Sequence, residues 1–411
     1  MVYFFQEHDI ISDVQFSYQS KLGTENAALA LSEYFYDGIQ NDKYTACIFA
    51  DLSLAFDCVI HEVLLLKLNR YGVRGVANDL LRSFLSDRSQ YVYYNGAVSS
   101  CRKVKYGVPQ GSCLGPFLFL TYINDLPKYV IDVCKMILYA DDSVLIKQDK
   151  DINILICYLQ LAISKLLNWC KLNGLKLNIT KTKLMIISCN MIKNVSNISI
   201  NGINLENVSS FKYLGITFDS KMSMNEHINH LKSRLSALCG ITYRISMYLN
   251  TDSSYKFYYS MVYSAITYGI TVWGGSLHKI TYFESLDKLH KKCIGNIFKI
   301  SNNSECIYKK LSILKLIDVY NYFIGLAIFK SISNGTLPFF HEFLINNEIN
   351  HNHNTRLDHN YYLPEIRVNT CKTRFLYNAV KLYNDLTPSF FIEKTEPEFK
   401  KSLKRYFIDK Y

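Results

Sequence analysis

Asp141 and Asp142 stand side by side in Tyr139-Ala-Asp-Asp142, between the apolar runs Met136–Ala140 and Val144–Ile146. Two acids between short β-type runs read as a hairpin turn, because Asp is a favoured turn residue. Carboxylates held rigidly at such a turn also suit a hard divalent cation. Mg²⁺ takes oxygen ligands, commonly one or two carboxylates together with substrate phosphates. A two-metal phosphoryl-transfer site needs a further carboxylate from another segment. Asp51 fits that need, since it directly follows the run Tyr44–Ala50, which reads as a buried strand. Taken alone, Asp51 reads first as a turn or helix-capping acid. Asp57 competes for the same role but lies further on, where the chain has left the strand.

Several elements must position these acids. A helix is predicted from Thr24-Glu25-Asn26 through Phe35, and another over His61–Tyr71, with Leu64, Leu65 and Leu68 on one face and Gly72 as its stop. A third covers Asn78–Ser86. Asn95-Gly96 marks a hairpin between the runs Tyr91–Tyr94 and Cys101–Tyr106. The glycine-spaced loop Gly107–Pro116 opens a helix through Asp125. Asp151–Leu172 is a long amphipathic helix halted at Asn173-Gly174. Short strands follow at Leu175–Leu177, Lys183–Ser188 and Phe211–Phe218, the last turning at Gly215. Beyond Ser220 the pattern is helical, over Met224–Tyr248, Tyr255–Trp273, Phe283–Phe298 and Leu314–Ile332. The Asn- and His-rich stretch 340–370 reads as loop.

The chain has 411 residues, 49% hydrophobic and 20% charged, which is a globular composition. Its net charge of +11 is uneven: residues 1–220 carry 21 basic and 20 acidic side chains, whereas 221–411 carry 25 and 15. A basic half rich in Tyr and Phe suits a polyanion, through phosphate neutralisation and base stacking. Charge alone favours a soluble basic protein with solvated lysines. The 12 cysteines form no Cys-x-x-Cys. Cys47, Cys113 and Cys170 lie in apolar runs and are expected to be buried thiols, which fits a reducing compartment. No signal peptide is evident, and the longest apolar runs fall short of the ~20 residues a bilayer requires. The expectation is a soluble intracellular protein with no membrane partner.

Three motifs occur in order: Ala50-Asp51-Leu-Ser-Leu-Ala-Phe56-Asp57, Gly107-Val-Pro-Gln-Gly-Ser-Cys-Leu-Gly-Pro116 and Tyr139-Ala-Asp-Asp142. Together they resemble the reverse transcriptase of a non-LTR (LINE-type) retrotransposon, most similar to the jockey-like group. Asn173–Asn178 with Lys181-Thr-Lys183, Phe211–Gly215, Tyr268-Gly269 and Asn354-Thr-Arg356 extend the likeness over nearly the whole chain. The resemblance implies an α+β right-hand polymerase. Residues 1–220 would hold partial fingers and an antiparallel palm, 221–300 a helical thumb, and 301–411 a basic helical region along the template–primer duplex. It implies RNA-directed DNA synthesis from an RNA template, a DNA primer and dNTPs.

It also implies roles. Asp51, Asp141 and Asp142 bind two Mg²⁺ ions, for which Mn²⁺ can substitute. Lys181 is a general acid for pyrophosphate; Lys183, two residues on, is easily confused with it, since strand spacing puts both on one face. Phe56 lies under the incoming sugar, where a ring excludes a 2′-hydroxyl; by spacing alone it is equally a core Phe. Gln110 and Gly111 lie along the nascent base pair. Phe211–Gly215 grips the primer terminus.

Against that family the chain enters late, without upstream fingers segments or an endonuclease domain, so the resemblance is to an N-terminally truncated polymerase. Gln19 replaces a usual Arg and Leu54 a frequent Lys. Each lost charge-assisted phosphate contact is worth ~1.5–3 kcal/mol, so losing two of the basic contacts that fingers supply would weaken dNTP binding roughly 10²–10⁴-fold. A second reading is therefore a catalytically weak or inactive remnant that binds nucleic acid without synthesis, and a third a globular protein with no polymerase role. Gly111-Ser-Cys-Leu-Gly115 is not a hydrolase elbow, and no P-loop is present. His351, His353 and Cys371 form an unorthodox zinc alternative.

Overall fold

The computed structural model describes residues 1–188, 197–300, 307–337, 340, 343, 361–386, 390–391 and 395–411. The chain forms two compact units. The first comprises Met1–Gly23 with Lys43–Ser209, and the second Thr24–Asp42 with Ser210–Tyr411. The helix Thr24–Gln40 thus packs with the later part of the chain.

The first unit is built on a sheet of β1 (Tyr44–Ser53), β2 (Lys135–Tyr139), β3 (Asp142–Asp149), β4 (Lys176–Leu177), β5 (Lys183–Ile187) and β6 (Glu206–Asn207). The spatial order is β6-β5-β1-β3-β2, with β4 pairing the end of β1. All pairings are antiparallel except β6 with β5. The β1 sequence is rich in β-branched and aromatic residues and is buried from Thr45 to Ala50. Its alternate residues Ala46, Ile48, Ala50 and Leu52 join the core with Leu68, Leu118, Phe119 and Leu159 from the flanking helices. The other set, Thr45, Cys47, Phe49 and Asp51, points to the opposite face, because successive strand residues alternate. On that face β3 presents Asp142, Val144 and Ile146 beside them by register.

Asp151 caps the helix Ile152–Leu172, accepting from the Asn153 N–H at 2.8 Å. That helix and Leu316–Ser333 are long and apolar enough to cross a membrane by length and composition, with mean hydropathies of 1.3 and 1.2, although neither is an unbroken apolar run. Ile152–Leu172 lays Leu155, Leu159, Ile163 and Leu166 into the core and exposes Cys157, Leu161, Ser164 and Asn168, the pattern of a helix on a globular core.

Several expectations need correction. β1 runs through Ser53, so Asp51 lies within the strand rather than after it. The hairpin at Asn95-Gly96 forms, but as the short pairs Tyr93–Tyr94 with Ala97–Val98 and Ser89–Gln90 with Arg102–Lys103. Cys113 is exposed, whereas Cys47 and Cys170 are buried; Cys113 lies in the loop before the helix Gly115–Ile123, not in a strand or helix. Phe211–Phe218 is two strands, Ser210–Tyr213 and Ile216–Asp219, turning at Leu214-Gly215.

In the second unit, the expected helix Tyr255–Trp273 is broken into Thr251–Phe257, a π-turn Tyr258–Tyr263, Ser264–Thr267 and Ile270–Trp273. The break falls at Gly269, whose φ of 62° lies in the left-handed region. A Cβ there would meet Ile216 Cδ1 at 2.4 Å, and the Gly269 N–H donates to Glu25 at 2.7 Å. Tertiary contact therefore overrides the apolar period. His351, His353 and Asn354–Arg356 lie outside the described residues, while Cys371 is described and buried.

Candidate active site

The turn between β2 and β3 consists of Ala140 and Asp141, with Tyr139 paired to Asp142. Ala140 takes a φ of 53°, and its N–H donates to Ser17 Oγ at 2.9 Å and Gln15 Oε1 at 3.2 Å. Both partners are buried, and their segment bonds along β2 through Leu138 N–H to Val14 O and Phe16 N–H to Leu138 O, each at 2.9 Å. A segment some 120 positions away thus satisfies the Ala140 amide at the acidic turn. Sequence reasoning missed Gln15 and Ser17, since nothing local ties a polar pair in Val14-Gln-Phe-Ser17 to residue 140.

Register brings the acids together. Asp51 on β1 lies directly opposite Asp142 on β3, so both side chains leave the same face, and Asp141 follows at the turn. Asp142 sits at an exposed rim, yet its surroundings push its carboxyl up to about 6, burial first and then the Asp141 and Asp51 charges. Burial, with Asp51 adding to it, also raises Asp141. Like charges thus accumulate around this turn. Lys181 supplies the nearby cation, its Nζ 3.8 Å from Asp51 Oδ2 and its side chain largely exposed.

A cavity of about 510 Å³ opens beside these groups. Asp51, Phe56, Gln110, Asp141 and Lys181 line it; Asp142 and Gly111 do not. Phe56 sits on a short 3₁₀ turn, Ala55–Cys58, its ring stacked on Phe119 at 4.1 Å between centroids. It is half-buried, so its role as a core ring and its place in the cavity wall coexist. The glycine-spaced loop is tied to the same turn. Gly107 N–H donates to Val59 O at 2.8 Å and Val108 N–H to Phe56 O at 2.9 Å. Gly107 has a φ of 88°, and a Cβ would lie 2.9 Å from Asp57 Cα, so only glycine allows the approach. Gln110 Nε2 then donates to Asp57 Oδ1 at 2.9 Å. Asp57, the competitor acid, therefore belongs to the cavity wall as the anchor of Gln110.

Lys181 is placed by a turn that Asn178 closes. Asn178 N–H donates to Asp51 O at 2.8 Å, and Asn178 Oδ1 accepts from Thr180 Oγ1 at 2.7 Å and Lys181 N–H at 3.3 Å. Asn178 also lines the cavity and was singled out by sequence only within a motif. The expectation that Lys181 and Lys183 share a strand face fails, because Lys181 stands on the turn before β5. Lys183 lies in β5 and pairs with Glu206 at 2.6 Å.

Matched against protein families, residues 3–218 fit the model described as "Reverse transcriptase (RNA-dependent DNA polymerase)". The chain belongs to the reverse transcriptase family. It is 30% identical over 288 residues to the probable RNA-directed DNA polymerase from transposon BS of Drosophila melanogaster, covering 65% of this chain and 31% of that protein. It is 27% identical over 277 residues to the RNA-directed DNA polymerase from mobile element jockey of the same species, covering 64% and 30%. The likeness to LINE-type, jockey-like retrotransposon polymerases is thus borne out, and with it an α+β polymerase fold of the right-hand class. The chain spans about a third of the length of these relatives. A solved telomerase from Candida albicans, in complex with a TWJ fragment of telomeric RNA, overlaps 78% of this reverse transcriptase chain and 55% of its own, at 11% identity and a TM-score of 0.38. That similarity is too low to add to the assignment.

Reverse transcriptases as a family use divalent metal ions. The donor set here, three carboxylates on two paired strands and their turn, suits a hard cation, and their mutual repulsion favours one. Among the described residues, no three His, Cys, Asp or Glu side chains are drawn together closely enough to hold an ion as they stand.

Proposed function

We propose that this reverse transcriptase chain catalyses RNA-directed DNA synthesis, in which a primer 3′-oxygen bonds to the α-phosphorus of a dNTP and pyrophosphate leaves. The observation that carries this reading is the register that sets Asp51 opposite Asp142, with Asp141 and Lys181 on the same cavity. Asp51, Asp141 and Asp142 would hold two Mg²⁺ ions, or Mn²⁺ in their place; when bound, such ions acidify the attacking hydroxyl and neutralise the leaving group. Lys181, exposed on its turn beside Asp51, delivers a proton to pyrophosphate. Phe56 braces the sugar from a ring fixed by Phe119, which selects dNTPs over ribonucleotides. Gln110, anchored on Asp57, and Gly111 flank the base pair that forms with the RNA template. Residues 221–300 serve as thumb and 301–411 as a basic region along the duplex. The whole acts as a soluble intracellular enzyme.

Primer extension on an RNA template tests this. Asp141→Asn and Asp142→Asn are each expected to lower the rate by roughly 10³-fold, at the upper end of what removing one stabilising group costs. Synthesis that survives both changes would sink the carboxylate assignment. A wild type that binds duplex but never extends it would favour a nucleic-acid-binding remnant.

A further inference from the structure

We propose that a cavity among the π-turn Tyr258–Tyr263 and the helices Leu316–Asn334 and Glu396–Ile408 is a docking pocket for an acidic segment of a partner protein. One large apolar side chain of that segment would enter the cavity, and its carboxylates would meet lysines at the rim. The cavity lies in the second unit and measures about 460 Å³. Pockets of roughly 300–1,000 Å³ take ligands of several rings, so a bulky side chain with its neighbours fits.

Helical period assembles the walls. On Leu316–Asn334, Phe323, Leu326 and Lys330 are spaced i, i+3 and i+7, so they share one face. On Glu396–Ile408, Lys400 and Lys404 stand one turn apart. The third wall is the π-turn, a local widening of a helix that is frequent at functional sites. It turns Tyr259 and Tyr263 toward the cavity, their rings edge-on with centroids 5.2 Å apart, and Tyr263 packs on Phe323 at 6.3 Å. Ile313, Leu314 and Leu326 are buried and make an aliphatic base, whereas Tyr259 is 38% exposed and carries the wall out to solvent.

The rim is basic. Lys330, Lys400 and Lys404 line the cavity, and none of its lining residues is an acid. Just outside the lining, Glu396 shows what these lysines take. Its Oε1 lies 2.7 Å from Lys400 Nζ and 3.5 Å from Lys330 Nζ, so one carboxylate bridges two helices. Among the described residues Lys404 pairs with no acid; its Nζ donates to the Tyr259 hydroxyl at 3.3 Å. The other nearby acids are engaged elsewhere. Asp318 accepts from the Tyr411 hydroxyl at 2.7 Å, and Glu398 from the Thr395 N–H at 2.9 Å. The rim therefore keeps a positive excess around an apolar hole, with the lysine stems lying along apolar surface and their ammonium groups free to meet an anion.

That pattern favours a peptide over a polynucleotide. Lysines on two helices around one hole match several carboxylates flanking one apolar residue. Large apolar anchors seated in such holes dominate protein interfaces. A base stacks on an open ring face, but here the base of the cavity is aliphatic and the rings meet edge-on. Glu396 between two of the lysines would also repel a phosphate backbone.

Docking of this kind needs no catalysis, so primer extension can fail while it stands, or the reverse. The full chain, without dNTPs or template, is panned against random dodecapeptides displayed on phage. Enriched peptides are then synthesised and their affinities measured by fluorescence polarisation at low and high salt, for wild type, Lys404→Ala and Tyr259→Ala. Neither side chain is buried, and thermal melts of the two variants check that the fold is kept. The expected peptides carry Asp or Glu around a Trp, Phe or Leu. Each variant should weaken them roughly tenfold, salt should weaken them further, and alanine in place of the peptide's apolar anchor should abolish binding. Selection that yields no acidic–apolar pattern, or peptides whose affinity neither variant changes, would overturn the proposal. So would a short RNA–DNA duplex that displaces the peptides and whose salt slope Lys404→Ala lowers by about one, since the cavity would then be a nucleic-acid contact.

Discussion

The cavity at Asp51 and Asp141 and a cavity of the second unit lined by Lys212, His227, His230 and Arg234 are opposite in charge but subject to the same rule. Burial disfavours the charged form in each. It lifts the Asp142 carboxyl to about 6 in the first and drops the His227 ring to about 4 in the second. The responses differ because the backbones differ. Strand register in the first unit sets Asp51 opposite Asp142, with Lys181 nearby as relief. In the second, a face of the helix Asn225–Ile245 spreads its charges, keeping Arg234 and His230 in water and burying a ring that stays neutral. The sheet thus stores like-charge repulsion that a cation would release, whereas the helix stores little.

The sharpest test of that contrast is at the two lysines of the first unit. Lys181→Ala is expected to lower kcat roughly 10²–10⁴-fold, the range of a lost general acid, with KM changing less. Lys183→Ala should leave kcat nearly intact, because its partner is Glu206 and such a surface pair is worth about 0–1 kcal/mol. Steady-state primer extension distinguishes them; equal losses would mean that the turn before β5 does not separate their roles.

Next in size is Phe56→Val, which removes the ring from the cavity wall. Ribonucleotide incorporation should rise by roughly 10–200-fold relative to dNTPs, the range of a steric pocket difference. The lost stack on Phe119 should cost about 0.5–1.5 kcal/mol of stability. Unchanged sugar selection would leave Phe56 as a core ring only.

Smallest, and most direct for the comparison, is the opposite pH response of the two cavities. Asp142 has a folded pKa of about 6 against 3.8 for a free carboxyl. Its favourable contribution is present below pH 3.8 and is lost as pH rises through 6. Asp142→Asn should therefore melt above wild type at pH 7 and level with it below pH 4, while Mg²⁺ narrows the gap by stabilising wild type alone. His227 has a folded pKa of about 4 against 6.5 for a free imidazole. Its contribution is present above pH 6.5 and is lost as pH falls through 4. His227→Gln should flatten that acid limb. Thermal melts from pH 4 to 8 measure both, and limbs of the same sign would refute the contrast.

Much of this was legible in the chain. The apolar runs around Asp141-Asp142 specified a hairpin, Tyr44–Ala50 specified a buried strand, and Leu155 to Leu166 specified a helix with one apolar face. Such patterns are local, and the periods 2 and 3.6 carry them. What escaped was whatever depended on contacts between distant segments. The break at Gly269 comes from Ile216 and Glu25, and no period in 255–273 signals it. The exposure of Cys113, beside Leu114 which packs against the core, is likewise not signalled by its apolar neighbours. Nothing in the short run 181–183 separates Lys181 from Lys183; that β5 begins only at Lys183 does.

The sequence by itself determined the elements, the order of the polymerase motifs and the chemistry of the acids, because residue types and short-range periods are written in it directly. Tertiary structure decided the pairing of Asp51 with Asp142, the anchoring of the Ala140 amide by Gln15 and Ser17, and the gathering of His227, Arg234 and Lys212 around one cavity. Those are matters of register and packing between segments far apart in the chain, and burial there, not composition, sets which charges are strained and which are free to bind.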